Sequence, residues 1–172
     1  FEVKGQVSSL YDLALGRVLL GPDGNVIATP GTLTAGVNEG LAYAVTNGWA
    51  FRCLPHEIIQ CSSGIVIPPV EDADIDFGGT SFQFNEGCIT PGMFVDSVNG
   101  GRIAHSGRLI HVGSGGYAAL HIKPIGLAGG QRIVQNAELA FGHIRAIQLN
   151  VFSVCVMEPT LAEIINNRIS FA

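Results

Sequence analysis

Glycine and proline divide this chain into short runs rich in Val, Ile, Phe and Leu, and that punctuation constrains its fold more than any other feature. The 23 glycines and 8 prolines among 172 residues set a turn signal about every 8 to 12 residues, a rhythm of strands rather than long helices. An all-β chain is expected. Asp-Gly in "GPDGN" (21–25) and Asn-Gly in "VNGGR" (98–102) lie between apolar runs, where positive φ angles are easily adopted, and predict two hairpins. Further strands are predicted at 43–53, 56–60, 64–67, 81–84, 117–122, 132–135 and 143–157, the last alternating as "HIRAIQLNVFSVCVM".

Helical signals are few. In "PTLAEIINNR", Thr160 and Glu163 form a capping box, and Leu161, Ile164, Ile165 and Arg168 follow helical spacing, which predicts a short C-terminal helix. "SSLYDLALG" reads as a helical turn capped by Ser9 and stopped at Gly16.

The two hairpin phrases repeat one another. In "DGNVIATPG" (23–31) and "NGGRIAHSG" (99–107), Gly24 and Gly100, Ile27 and Ile103, Ala28 and Ala104, and Gly31 and Gly107 each stand 76 positions apart. Read as an internal duplication, this gives two similar β-units, sandwich- or barrel-like, over 1–75 and 76–172, joined near the acidic stretch "VEDADIDFGG" (70–79). Shared turn chemistry is the alternative source of the likeness. Two copies fall short of the roughly three that a solenoid needs.

Charge narrows the function classes. Only 13% of residues are charged while 47% are hydrophobic, against about 25% charged in ordinary domains, so much of the surface is expected to be covered by other chains. A net charge of -5, with the cations scattered, gives no footprint for nucleic acid. The tract "AIQLNVFSVCVM" is interrupted by Gln148 and Asn150 and is shorter than the roughly 20 residues that cross a bilayer, so no membrane partner is expected. No signal peptide is read in "FEVKGQV". Cys53, Cys61, Cys88 and Cys155 lack the spacing of a disulfide framework and read as reduced, mostly buried thiols.

Each candidate for chemistry meets a simpler reading. Cys53, His56 and Cys61 in "CLPHEIIQC" are zinc-ligand types without a fourth partner or a tight pair. Asp72, Asp74 and Asp76 begin like a calcium loop, but Phe77 and Gln83 stand where glycine and glutamate belong. Ser114 in "GSGG" has no nucleophile-elbow context. His105, His111, His121 and His143 are far apart in sequence, with His111 and His121 able to meet across a hairpin. Tyr43, Trp49 and Tyr117 are the aromatics available to stack on a sugar.

Two resemblances bear on function. "LYDLALG" (10–16) resembles a short phrase of the trimeric all-β dUTPase and dCTP deaminase superfamily, but the S-S-x-x-R-x-G phosphate motif is missing and "LIHVGSGGYAALHI" lacks that family's nucleotide-site residues. "EGCITPGMFVDSVNGGRIAHSG" (86–107), with "LALGRVLLGPDGNVIATPG" (13–31) as a looser version, resembles the phrase of tailed-phage head decoration, or capsid cement, proteins. That resemblance implies a non-enzymatic virion protein, assembled in a host cytoplasm, which self-associates as a trimer and clamps subunits of a major capsid protein. The alternatives are a β-sandwich binding module for a carbohydrate or receptor, and a nucleotide hydrolase of the superfamily above. No catalytic, cofactor-binding or metal-binding residue is assigned on any of these readings.

Overall fold

The structure is a computed structural model and describes residues 6–12, 16–20, 26–28, 33–34, 36–53, 58–114, 118–124, 133–148, 151–156, 163–165 and 167–171. Strands β1 (Gln6–Asp12), β2 (Gly16–Leu20) and β3 (Val26–Ala28) form an antiparallel meander. Beyond it every strand pair among the described residues is parallel. The chain winds through α1 (Val37–Thr46), β4 (Ala50–Cys53), β5 (Ile58–Cys61), β6 (Ile65–Ile67), β7 (Val70–Asp76), β8 (Ser81–Phe84) and β9 (Met93–Val95). It continues through β10 (Val98–His111), β11 (Ala118–Ile122), β12 (Ile133–Gln135), β13 (Glu138–Ala146), β14 (Phe152–Val156), β15 (Glu163–Ile165) and β16 (Arg168–Phe171).

Pairing stacks these strands as successive coils of a parallel β-solenoid. One face runs β1-β4-β7-β10 and on to β13 and β16, a second runs β5-β8-β10-β13, and a third runs β6-β9-β11-β14. The long β10 serves two faces by bending at a register shift between His105 and Arg108. Each coil buries one side of each strand, so like positions form inward columns. Phe51, Ile75, Ile103 and Leu139 stack in register and are nearly inaccessible, and Ile169 ends the column. Ile65, Met93 and Leu120 do the same on the third face, ending at Val154. Each of these fully buried side chains contributes about 1.5–3 kcal/mol relative to exposure.

The N-terminal end of the stack is covered. Val37, Leu41 and Ala44 of α1, at helical spacing, pack into the core. Asn38 acts as a strand substitute, its Nδ2 donating to Gly64 O at 3.0 Å and its Oδ1 accepting from Val66 N at 2.8 Å. That satisfies part of the edge of β6, which would otherwise offer backbone groups to another strand.

Several expectations are corrected. The chain is not a pair of sandwich- or barrel-like units, because its sheets are mainly parallel. The phrase 98–102 is not a hairpin: it lies within β10, where Gly100 (φ 83) and Gly101 (φ 81) turn a corner of the coil beside Asp72 (φ 48) of β7. Asn136 (φ 53) turns the matching corner between β12 and β13. Asp, Gly and Asn are the residues that tolerate left-handed backbone, so one geometry recurs coil after coil. In contrast, β2 and β3 do pair antiparallel around residues 21–25, which lie outside the described residues. Over the described residues the two phrases thus differ, one contributing an antiparallel strand and the other a parallel one. The expected joint at 70–79 is mostly strand β7, in the middle of the stack.

The expected C-terminal helix is also corrected over the described residues. Residues 163–165 and 168–171 are strands paired with β12 and β13, and the Asn167 side chain ties them down by donating to Val134 O at 2.6 Å and accepting from Ala137 N at 3.1 Å. Parallel pairing outweighs the capping box, a case of tertiary context overriding local propensity. The segment 8–12 of the expected helical turn is strand β1, and the expected strand from 43 is helix as far as Thr46.

Candidate functional site

Most residues singled out for chemistry are consumed by the coils. Cys53 and Cys61 are buried on β4 and β5, and His56 lies outside the described residues. None of the four cysteines forms a disulfide. Among the described residues no group of three His, Cys, Asp or Glu is placed to hold a metal ion. The aspartates do not converge: Asp72 turns a corner, Asp74 Oδ1 pairs with Arg52 Nη2 at 2.6 Å, and Asp76 Oδ1 accepts from Gly78 N at 2.8 Å. Ser114 is exposed at a bend, and Tyr117 lies outside the described residues. Trp49 packs partly against the core and meets Tyr43 edge-on at 5.4 Å.

Three histidines are interior or nearly so. His105 lies 5.5 Å from Phe82 and 6.1 Å from Phe77 by ring centroids, and its Nε2–H donates to Thr80 O at 2.6 Å. Burial holds its pKa below the ordinary histidine value. His111 stacks on Phe84 at 5.8 Å. His121 meets Phe94 edge-on at 5.6 Å and is lowered by burial and by Lys123. His111 and His121 do not face each other across a hairpin, since β10 and β11 belong to different sheets.

His111 and Cys88 form the most reactive-looking pair. Cys88 Sγ lies 3.5 Å from both Thr90 O and Thr90 Oγ1, and His111 Nε2–H donates to Thr90 O at 3.0 Å. Burial alone would raise the thiol and lower the imidazole, but each offsets this for the other with help from Thr90: Cys88 is lowered and His111 raised. Both side chains are 0% exposed. A substrate could reach them only if the coil opened, so the pair is part of the interior.

An accessible concavity lies on the outer side of β10, β13 and β16. Its volume is about 410 Å³. In-register positions Asp76, Ala104, Ala140 and Ser170 run across four adjacent coils, and the two alanines make the floor shallow. Arg102, held by Glu138 at 3.4 Å, and Ser106 stand at its margins. Phe171 stacks on Phe141 at 6.3 Å and 19° and remains 49% exposed. Gly142 closes the trough beside the bend of β10. There the backbone carbonyl of Thr80 occupies the space a side chain of Gly107 would need.

Of the residues lining the trough, the sequence singles out Asp76 and His105 as candidates for chemistry, each in another role. Arg102, Glu138 and Arg168 share one register position, a relation visible only once the coil length is known. Comparison of the chain with protein family models, with curated proteins and with solved structures finds no match.

Proposed function

We propose that this chain is a non-enzymatic β-solenoid that binds a saccharide in the trough over Ala104 and Ala140. The observation that carries this reading is the composition of the concavity. A carboxylate (Asp76), a guanidinium (Arg102) and two hydroxyls (Ser106, Ser170) border a small-residue floor, with half-exposed Phe171 at one side. Paired hydrogen-bonding groups suit the vicinal hydroxyls of a sugar, and an aromatic face suits its apolar C–H face. A concave site with a few converging polar groups is the default location for a ligand.

The test is a glycan array read with wild-type protein and Phe171→Ala, followed by chromatography of any bound oligosaccharide after prolonged incubation. Specific hits weakened by Phe171→Ala, with the oligosaccharide recovered intact, are expected. Absence of saccharide binding would remove the reading, and release of shorter products would make the protein an enzyme.

A second reading, a self-associating virion component that contacts a capsid protein, has one observation in its favour. At the C-terminal end of the stack the positions that continue the inward columns are open, with Phe152 57%, Val156 46% and Phe171 49% exposed. Apolar side chains left open at the end of a stack suit a contact with another chain. The segment 86–107 that resembles decoration proteins is itself built into β9 and β10. Sedimentation velocity decides this reading: a trimer dispersed by Phe152→Asp supports it, and a monomer at high micromolar concentration contradicts it.

A further inference from the structure

Past the bend of β10, the same two strands carry a second surface feature of opposite character. Arg108 pairs in register with His143, and Ile110 pairs with Arg145. All three polar side chains are exposed, while the intervening Leu109 and Ile144 turn to the core. Together Arg108, Ile110, His143 and Arg145 line a cleft of about 260 Å³.

Among the described residues neither arginine has a carboxylate or hydrogen-bond partner. The preceding strand on this face, β8, brings Gln83 opposite Ile110 and holds Ser81 and Phe82 beside it, so it supplies no negative charge. Like charges on neighbouring strands are unfavourable unless something neutralises them. This occurs in a chain with a net charge of -5 and only nine Lys and Arg residues against 14 Asp and Glu. Carboxylates are in ample supply, and among the described residues none stands here.

We infer that Arg108, Arg145 and His143 form an oxyanion-binding subsite, which takes a sulfate, phosphate or carboxylate group borne by the ligand of the adjoining trough. Two guanidiniums on one cleft offer forked donors that match the oxygens of such a group. The inference extends the saccharide reading by giving the ligand a negative charge. A cleft with two guanidiniums on an acidic chain is too small to track a nucleic-acid backbone.

The test is titration calorimetry with inorganic sulfate, inorganic phosphate, a sulfated oligosaccharide, a uronate oligosaccharide, their neutral counterpart and a single-stranded oligonucleotide. Wild-type protein is compared with Arg108→Ala/Arg145→Ala and with Phe171→Ala, each checked for an unchanged melting temperature. Wild-type protein is expected to bind at least one anionic probe about tenfold more tightly than the neutral oligosaccharide. The double variant should lose that preference and keep the neutral affinity, while Phe171→Ala should weaken all saccharides alike. The probe that shows the largest preference identifies the anion.

Sulfate or phosphate binding that disappears in the double variant, in a protein that binds no oligosaccharide, would uphold the anion subsite and remove the trough reading alone. Equal binding of anionic and neutral probes, or a preference that survives the double variant, would overturn the subsite. Arginine-dependent binding of a single-stranded oligonucleotide above all saccharides would overturn the ligand class.

Discussion

The outer face of β10 and β13 changes its electrostatic logic at the bend. On the near side, Asp74, Arg102, Glu138 and Arg168 occupy one register position on four adjacent strands, and their signs alternate. Arg52, in register with Asp76, reaches diagonally to within 2.6 Å of Asp74, and Arg102 lies 3.4 Å from Glu138. On the far side, the same pair of strands sets Arg108 beside His143 with Arg145 two positions along. Backbone spacing is common to both. The choice of residue alone makes one a closed ladder and the other an open demand for negative charge. The outer rungs of a solenoid are thus free to carry function because the inner columns hold the coil.

The comparison depends on both regions being kept in one register, and the largest effects should come from breaking that. Leu139→Ala removes a 0% exposed rung between Ile103 and Ile169. It should cost about 2–5 kcal/mol in urea unfolding. Gly101→Ala should cost on the order of 3 kcal/mol, because the residue holds φ 81 against the backbone of Ala73. If either change proved neutral, the stacked register would be wrong.

Acid should act next, through the buried histidine at the bend. The folded-state pKa of His105 is lowered, chiefly by burial, against an ordinary value of 6.5. The unfolded chain therefore takes up this proton first, and stability falls as pH drops from 6.5 toward the folded value. His111 works in the opposite sense, since its pKa is raised: the stability it contributes is present below 6.5 and is lost as pH rises through its folded value. His105→Phe, compared with wild type in urea melts at several pH values, should show a shallower loss of stability below pH 6.5. An unchanged slope would mean that His105 is not held neutral.

The smallest effects should come from exchanging signs on the outer face. Reversing a rung of the closed ladder with Asp74→Lys should cost up to about 1 kcal/mol, and installing an acid in the open cluster with Arg145→Glu should stabilise by a few tenths. Both differences should shrink in 1 M salt. If Arg145→Glu destabilised the fold instead, the cations past the bend would have hidden partners.

Much of the chain's local grammar was legible in the sequence. Strands at 64–67 and 81–84 fall within a residue of β6 and β8. The assembly was not, because coil lengths vary. Phe51 and Ile75 are 24 positions apart, Val70 and Val98 are 28, and Val98 and Val134 are 36, so no single period survives in the sequence. The signal that was present is Asp72, Gly100 and Asn136, three left-handed corners at matching positions. Gly100 was instead read as a hairpin turn, since Asn-Gly favours both. The C-terminal helix failed for a related reason: Leu161, Ile164, Ile165 and Arg168 satisfy helical spacing in isolation, whereas the strands over 163–165 and 168–171 extend parallel faces of the stack. The trough was invisible because its residues meet only across coils.

The most direct test of the central claim fills the trough without altering a polar group. Ala104→Trp points a large side chain into the floor between Asp76 and Ala140. Binding of the best saccharide from the array is measured by calorimetry, with the melting temperature as the control for folding. Loss of binding in a folded Ala104→Trp protein is the expected result, and undiminished affinity would place the ligand elsewhere.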